Sequence, residues 1–440
     1  RAQNRNPVTN PLFSEPAPLP RHTCILENGV ELIIVPMPHA RSVSTSIYFR
    51  AGSRYEEHDQ TAGISHFLEH ICFKGTQRRP TSRDISFEID ALGGGINAST
   101  HREMTVYYAK VAAEFAERSI DLLLDMVRNS TCIEEEVERE RGVILEELAA
   151  VEDNPGEQAT LLLDSLIWPG QPHGRDIAGT EETVTNITRD QVHAAYRTQY
   201  VGSAVVISIA GAVDVDEITE IVSQRIEGWE RGTPDPWLPN QPEHGARAAL
   251  ITKDTGQTHL SIGMPGLGSR DEDRYALELL SNCLGEGMSS RLFLRLREDL
   301  GLCYDIHSYA AELLDTGMFG IYAGVDPEHA EEALCEIRKE LDRLAEPITA
   351  AELERAQAVV RSRIQLSMED TRSVSGWYGA QATLHRPLRS PEDTLARYQS
   401  VTLQDLQTVV ERIIQPDLAH LAIVGPYEST APFEAAFTNA

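Results

Sequence analysis

The sequence lacks any long apolar segment and any stretch typical of an export signal. None of its hydrophobic runs approaches the about 18 residues that a membrane-spanning helix needs. No short apolar core follows a basic N-terminal region either. We therefore predict no membrane span and expect a cytoplasmic protein, although a leader removed ahead of Arg1 stays compatible with the sequence.

The chain also lacks the cysteine spacings that mark metal clusters or disulfide frameworks. Its six cysteines are scattered, and no two have Cys-x-x-Cys spacing. Scattered thiols are typical of a reducing compartment, where disulfides do not persist. We interpret all six as free thiols: Cys24, Cys72, Cys132, Cys283, Cys303 and Cys335.

Basic residues are few, because 39 Lys and Arg stand against 68 Asp and Glu, for a formal net charge of −29 at pH 7. This balance argues against a nucleic-acid-binding protein, which needs a basic surface to meet phosphates. Two interpretations of the acidic excess remain. It is either a solvated surface that favours solubility or part of an interior that concentrates basic peptides.

One short segment, residues 63–76, carries a pattern suited to metal binding. At helical pitch, His66 and His70 project from one face, one turn apart. Two imidazoles spaced in this way can grip a divalent ion such as zinc. Glu69 lies beside the pair, placed to take a proton from a water that the metal activates. The order His-x-x-Glu-His is the inverzincin signature.

Two helix histidines alone also fit a plain hydrogen-bonded core, so a third protein ligand is needed. The segment 136–148 offers several carboxylates. Glu140 and Glu147 are two helical turns apart and share a face with apolar residues between them, which predicts that both point inward. Glu146 is the alternative candidate for the third ligand.

These motifs resemble those of the inverzincin peptidase family that includes pitrilysin, insulin-degrading enzyme and the mitochondrial processing peptidase, in its short bacterial form. The resemblance implies that His66, His70 and Glu147 hold one Zn²⁺ ion per chain. It also implies that Glu69 is the general base. Glu140 would be a second carboxylate that orients a ligand histidine.

A proline-rich stretch separates two similar halves of the chain. Residues 401–405 echo residues 187–190, and residues 423–425 echo residues 209–211, both at an offset of 214 residues. A shared offset across separate segments indicates two homologous domains. Residues 351–356 likewise echo residues 135–140. Aligned on that echo, the second copy lacks the metal ligands, because Ala356 and Arg363 stand where the first half has Glu140 and Glu147.

We therefore predict an α+β fold of two homologous domains, each a mainly antiparallel sheet packed with helices. By resemblance, the two domains enclose a chamber. The expected divisions are an extended arm over 1–20, a zinc-binding catalytic domain over 21–230, a linker over 231–246 and a second domain over 247–440.

The second half carries a signal of its own, Arg297 followed seven residues later by Tyr304. Taken alone, these residues fit a solvated helix face and a core tyrosine. The family has an Arg and a Tyr at this spacing, after a Leu-Gly or Gly-Leu turn. The resemblance therefore implies that both side chains reach the substrate backbone and the oxyanion near the metal.

The segment 93–100 matches the family's substrate strand in the pattern Gly-Gly-x-x-Asn-Ala-x-Thr. By resemblance, Asn97 and Ala98 form a sheet edge to which an extended peptide adds as an extra strand. The alternative is an edge strand blunted by small polar residues.

The resemblance implies a zinc metalloendopeptidase that cleaves extended or unstructured peptides and acts as a homodimer. The acidic excess adds basic peptides as candidate substrates. A second hypothesis is a non-catalytic, metal-binding core or scaffold subunit of the same fold. Such subunits usually lack either the metal ligands or the Arg–Tyr pair, whereas this chain keeps both.

Overall fold

The computed structural model describes residues 19–57, 59–242 and 245–439. The arm expected over 1–20 lies outside these residues except for its last two. The first half contains a six-stranded sheet with strands β1 His22–Ile25, β2 Glu31–Pro36, β3 Ser42–Phe49, β4 Gly95–Thr100, β5 Thr105–Ala112 and β6 Val205–Gly211. Its helices are α1 Ile64–Ile71, α2 Ser82–Leu92, α3 Ala116–Arg128, α4 Glu134–Glu152, α5 Pro155–Ile167, α6 Glu181–Asn186, α7 Arg189–Gln199 and α8 Val215–Arg225.

The second half contains a five-stranded sheet and seven α-helices among the described residues. Its strands are β7 Ala248–Thr252, β8 Thr258–Pro265, β9 Cys303–Glu312, β10 Gly317–Val325 and β11 His420–Gly425. Its helices are α9 Arg274–Gly285, α10 Ala330–Asp342, α11 Ala350–Ser367, α12 Thr371–Thr383, α13 Pro391–Ser400, α14 Leu403–Ile413 and α15 Ala431–Thr438. A π-helix spans Phe293–Asp299.

Both sheets have the same strand order. The first runs β1-β2-β6-β3-β5-β4 and the second β7-β11-β8-β10-β9, so the second repeats the first without β1. One pair in each sheet is parallel, β2 with β6 and β7 with β11. The remaining pairs are antiparallel. The predicted α+β class and internal repeat are confirmed.

Local sequence signals explain several element boundaries. The β1–β2 hairpin turns at Asn28-Gly29, where Gly29 adopts φ 87°. Helix α2 starts with a capping box at Thr81 and stops at Gly93, which is left-handed. Thr188 forms a capping box with Gln191 at the start of α7. These signals were readable in the sequence because they involve residues within one turn.

One helix of each half packs on the sheet of the other half. Helix α12 of the second half packs on β3 and β6, and helix α5 of the first half packs on β8 and β11. Val374 and Tyr378 of α12 share a buried cluster with Ile33, Val35 and Val206. The two helices occupy equivalent positions in the repeat, so the exchange is reciprocal. Each sheet therefore has one face that a helix of the other half covers.

A buried arginine ties both halves to the linker. Arg54 is fully buried, and its Nη1 donates to Glu103 at 2.6 Å while Nη2 donates to Asp315 of the second half. Its Nε donates to the carbonyl oxygen of Leu238 at 2.8 Å, and its guanidinium lies 4.5 Å from the ring centre of Trp237. One side chain thus joins three parts of the chain.

Within the described residues, no helix has the length and apolarity to cross a membrane.

Candidate active site

Helix α1 presents the two histidines on the face opposite its core contacts. Phe67, Leu68 and Ile71 are buried in the hydrophobic core of the first half. His66 and His70 stay partly accessible, with side chains 18% and 16% exposed. Their rings are 4.7 Å apart between centres. The amphipathic pattern of α1 therefore fixes the direction in which both imidazoles point.

Helix α4 brings a carboxylate to this pair. Val137, Glu140 and Ile144 form its buried side, while the Glu147 side chain is 48% exposed. Oε2 of Glu147 lies 3.7 Å from Nε2 of His66 and 3.6 Å from Nε2 of His70. One ligand atom from each of these three residues lies within 4.8 Å of the others.

The spacing of these atoms suits a tetrahedral metal ion. Ligands about 2.0–2.1 Å from a zinc ion lie about 3.4 Å from each other in a tetrahedron. The two carboxylate–imidazole distances, 3.7 and 3.6 Å, are close to that edge. Glu146 is exposed and is not part of this cluster. A zinc ion that three protein groups hold keeps a fourth position open, as in catalytic zinc sites.

Burial keeps His66 neutral and able to bind a metal. It lowers the pKa of His66 to about 4, and the neighbouring His70 lowers it further in the same direction. The Nδ1 atom of His66 is buried and has no hydrogen-bond partner among the described residues. An imidazole must be unprotonated to bind a metal, so this environment favours the ligand form.

Glu140 contacts the ring nitrogen of His70 that faces away from Glu147. Its Oε2 lies 3.1 Å from Nδ1 of His70, and its Oε1 lies 2.6 Å from Nζ of Lys74. Burial raises the pKa of Glu140, but the hydrogen bonds from His70 and Lys74 outweigh it, so the net shift is downward. Burial likewise lowers the pKa of His70, but Glu140, Glu147 and Glu69 outweigh it and raise the pKa overall.

Glu69 lies beside the histidines and is hydrogen-bonded to the end of strand β4. Its Oε2 accepts a hydrogen bond from the hydroxyl of Thr100, the last residue of β4. Burial raises the pKa of Glu69, while the Thr100 hydrogen bond and the charge of His70 oppose that shift. A carboxylate with a raised pKa is a better proton acceptor than a free one.

Strand β4 is the edge strand next to α1, and it carries the residues expected to bind substrate. Asn97 and Ala98 pair with Tyr108 and Tyr107 of β5. Asn97 is exposed, and its Oδ1 accepts a hydrogen bond from the backbone N–H of Ala98 at 2.9 Å. The other edge of β4 pairs with no strand among the described residues.

Arg297 and Tyr304 form a pair of their own in the second half. The Arg297 guanidinium lies 5.2 Å from the ring centre of Tyr304, whose side chain is 73% exposed. Gly301, between them, is left-handed and ends the helical segment. Among the described residues, no hydrogen bond or ion pair joins Arg297 or Tyr304 to the histidine cluster.

Two residues of the site were not predicted from the sequence. Thr100 contacts Glu69, and Lys74 contacts Glu140. Thr100 is the threonine that ends the Asn-Ala-x-Thr pattern. Lys74 follows His70 by four residues, so helical spacing alone could have drawn attention to it.

Comparison with known proteins identifies the family of the chain. Residues 32–181 match the family described as insulinase (peptidase family M16), and residues 186–360 match the peptidase M16 inactive domain. The chain is 36% identical over 411 residues to an uncharacterized zinc protease of Streptomyces coelicolor, covering 91% of this chain and 88% of that protein. It is 34% identical over 407 residues to the uncharacterized zinc protease YmxG of Bacillus subtilis, covering 92% and 98%.

The fold is shared with solved structures. A crystal structure of a protease from Helicobacter pylori superposes with a TM-score of 0.88 at 23% identity, covering 93% of this chain and all of that one. At this identity the likeness shows the fold alone. The match of residues 186–360 to an inactive domain agrees with Ala356, which stands where the first half has Glu140. From the family matches and the two relatives, the chain belongs to peptidase family M16, the insulinase family.

Proposed function

We propose that this protein is a zinc-dependent endopeptidase that cleaves extended or unstructured peptides. The observation that carries the proposal is the convergence of His66, His70 and Glu147, with Glu69 beside them. The names of the relatives, zinc proteases, agree with it. In this proposal the three residues hold one Zn²⁺ ion per chain, so a homodimer would carry two.

The donor set fits zinc, which binds imidazole nitrogen and carboxylate oxygen readily. When bound, zinc would polarise the scissile carbonyl and lower the pKa of a coordinated water toward neutrality. Glu69 would accept the proton of the attacking water and pass it to the leaving amine. Thr100 would keep the Glu69 carboxylate aimed at that water through its hydroxyl.

Glu140 would set the tautomer of His70. Because Nδ1 of His70 donates to Glu140, the proton stays on Nδ1 and Nε2 keeps a free lone pair for the metal. Lys74 neutralises the second oxygen of the same carboxylate. The ion pair with Lys74 therefore compensates the negative charge of the buried Glu140 carboxylate beside the proposed metal site.

The peptide would bind along the edge of β4 as an added strand. This mode requires an extended backbone, because the strands of a folded protein are already paired. Asn97 and Ala98 would contact the peptide there, and the Asn97 side chain would release the Ala98 N–H as the peptide binds. Flexible peptides are therefore the expected substrates.

Arg297 and Tyr304 would complete the site from the second half. Their exposure leaves both free to meet a substrate between the two domains, and a guanidinium and a phenol can both donate to an oxyanion. In this proposal the two halves enclose a chamber, and the pair reaches the scissile carbonyl when a peptide lies between them. A non-catalytic scaffold subunit is the second candidate, and the full set of metal-binding and acid–base residues argues against it.

The proposal is tested by zinc content and by hydrolysis of an unstructured peptide. Elemental analysis should find about one zinc per chain, and a chelator should abolish cleavage that added zinc restores. Glu147→Gln should lose zinc, whereas the matched Glu146→Gln should retain it. Equal zinc retention in the two variants would contradict the ligand assignment, and zinc binding without any hydrolysis would favour the scaffold.

A further inference from the structure

The N-terminus of the metal helix α1 has no cap of its own. Helix α1 starts at Ile64, and Gly63 before it is left-handed, with φ 93° and no side chain to accept hydrogen bonds. The first backbone N–H groups of a helix have no partner within the helix. A buried helix start therefore needs acceptors from elsewhere in the fold.

A carboxylate from the segment just before the helix supplies those acceptors. Oε2 of Glu56 accepts from the backbone N–H of Gly63 at 3.0 Å, and Oε1 accepts from that of Ser65 at 2.9 Å. Glu56 is only 5% exposed. An anion at a helix N-terminus is stabilised by the helix dipole. Burial raises the pKa of Glu56 to about 7, while the hydrogen bonds from Ser65 and Gly63 and the charge of Arg175 oppose that shift.

The loop that carries Glu56 is itself anchored. Arg175 donates from Nη2 to the carbonyl oxygen of Glu56 at 2.8 Å, and from Nη1 to Asp59. Gly63 packs against the backbone three residues after Arg175, because a Cβ atom on Gly63 would stand 2.3 Å from the carbonyl oxygen of Ala178. The start of α1 is thus held between the Glu56 carboxylate and the backbone at Ala178.

We propose that Glu56 is a positioning residue of the metal site, which holds the first turn of α1 so that His66 meets the position shared with His70 and Glu147. Ser65, which Glu56 binds, directly precedes His66 in the chain. Loss of either hydrogen bond frees the first turn to shift or fray. His66 is the ligand nearest that end, so its imidazole would move most. This inference rests on the proposed metal site but not on peptide hydrolysis.

The test is the zinc affinity of Glu56→Gln, measured by competition with a chelator. Glutamine has the same shape as glutamate, but its amide NH₂ would face a backbone N–H, so one hydrogen bond is lost along with the charge. We expect zinc affinity to fall about 10–100-fold, the range seen when residues behind metal ligands are changed. Glu56→Asp keeps the charge, but its shorter side chain reaches only one of the two N–H groups. Its zinc affinity should lie between those of the wild type and Glu56→Gln.

Thr81→Ala is the matched control. Thr81 caps the neighbouring helix α2 by accepting from the backbone N–H of Asp84 at 3.2 Å, and α2 carries no proposed ligand. This variant should lower the melting temperature yet keep zinc affinity within about twofold of wild type, since cap loss acts on its own helix.

Unchanged zinc affinity in Glu56→Gln would overturn the inference. An equal loss of affinity in Thr81→Ala would also overturn it, because the effect would then be general destabilisation. If Glu56→Gln does not fold, Glu56→Asp is judged against Thr81→Ala by the same criteria. Failure of the proposed peptidase activity would be visible separately, as absent hydrolysis in the wild-type protein.

Discussion

Nδ1 of His70 lies 3.1 Å from Oε2 of Glu140, a carboxylate from another helix that is buried behind the histidine. A carboxylate oxygen can only accept, so Nδ1 of His70 carries the proton of this contact, while Nε2 of His70 faces Glu147 at 3.6 Å. The orientation of a proposed ligand therefore depends on a residue that lies outside the cluster.

Replacing Glu140 with Gln should weaken zinc binding. The amide can accept one hydrogen bond but cannot serve both His70 and Lys74, which leaves the Lys74 ammonium without its anion. A loss of about 10–100-fold in zinc affinity is expected, measured by chelator competition. Glu138→Gln on the same helix, where the side chain is exposed and pairs with Arg141, is the control. Equal affinities for the two variants would contradict this role.

Replacing Arg54 with Met should strongly destabilise the fold. The change leaves Glu103 buried without its cation and removes the hydrogen bond to the linker at Leu238. Breaking a buried pair in this way costs about 3–5 kcal/mol of unfolding free energy, which urea denaturation would measure. Arg139→Met, which removes an exposed pair with Glu136, should cost less than about 1 kcal/mol. Similar losses for both variants would argue against Arg54 as a tie between the halves.

The reciprocal exchange of α5 and α12 predicts that the halves do not fold alone. A fragment of residues 19–235 lacks α12, so the sheet face with Ile33, Val35 and Val206 meets water. We expect no cooperative thermal transition in this fragment. Mixing it with residues 245–439 should restore one, because α12 then covers that face. A fragment that melts cooperatively on its own at the temperature of the intact chain would contradict the expectation.

The buried His173 should make stability fall as the pH drops below neutrality. His173 is fully buried, with Nε2 3.1 Å from Oδ1 of Asn240 in the linker. Burial lowers its pKa to about 4, below the about 6.5 of an unfolded chain. As the pH falls from about 6.5 to about 4, the unfolded chain gains this proton first, so folding loses up to about 1.4 kcal/mol per pH unit.

The measurement is urea denaturation of the wild type and of His173→Gln at about pH 7 and about pH 4.5. The wild type should lose more unfolding free energy between these values than the variant, which has no such group to titrate. An equal loss in both proteins would mean that His173 does not contribute.

Much of the fold was predictable because its signals are local or repeated. The first hairpin turns at Asn28-Gly29, a two-residue signal, and the offset of 214 residues between residues 187–190 and 401–405 indicated the repeat. The exchange of α5 and α12 was not predicted. Periodicity shows that a helix buries one face, but it does not show which sheet covers that face.

The candidate site also contains residues that the sequence predicts and contacts that it does not. His66, Glu69 and His70 lie within two turns of one helix, so their spacing alone defined the motif. The contacts of Thr100 with Glu69 and of Glu56 with the start of α1 join residues that the sequence separates. No spacing rule connects such residues, because their meeting depends on how a strand and a loop pack against α1.

The most direct test of the proposed chemistry is Glu69→Gln, assayed for both zinc content and peptide hydrolysis. The amide fills the same space and leaves His66, His70 and Glu147 in place, but it cannot accept a proton. Zinc content should stay at the wild-type level while kcat for an unstructured peptide falls about 10²–10⁴-fold. Cleavage near the wild-type rate by a variant that retains its zinc would contradict the account.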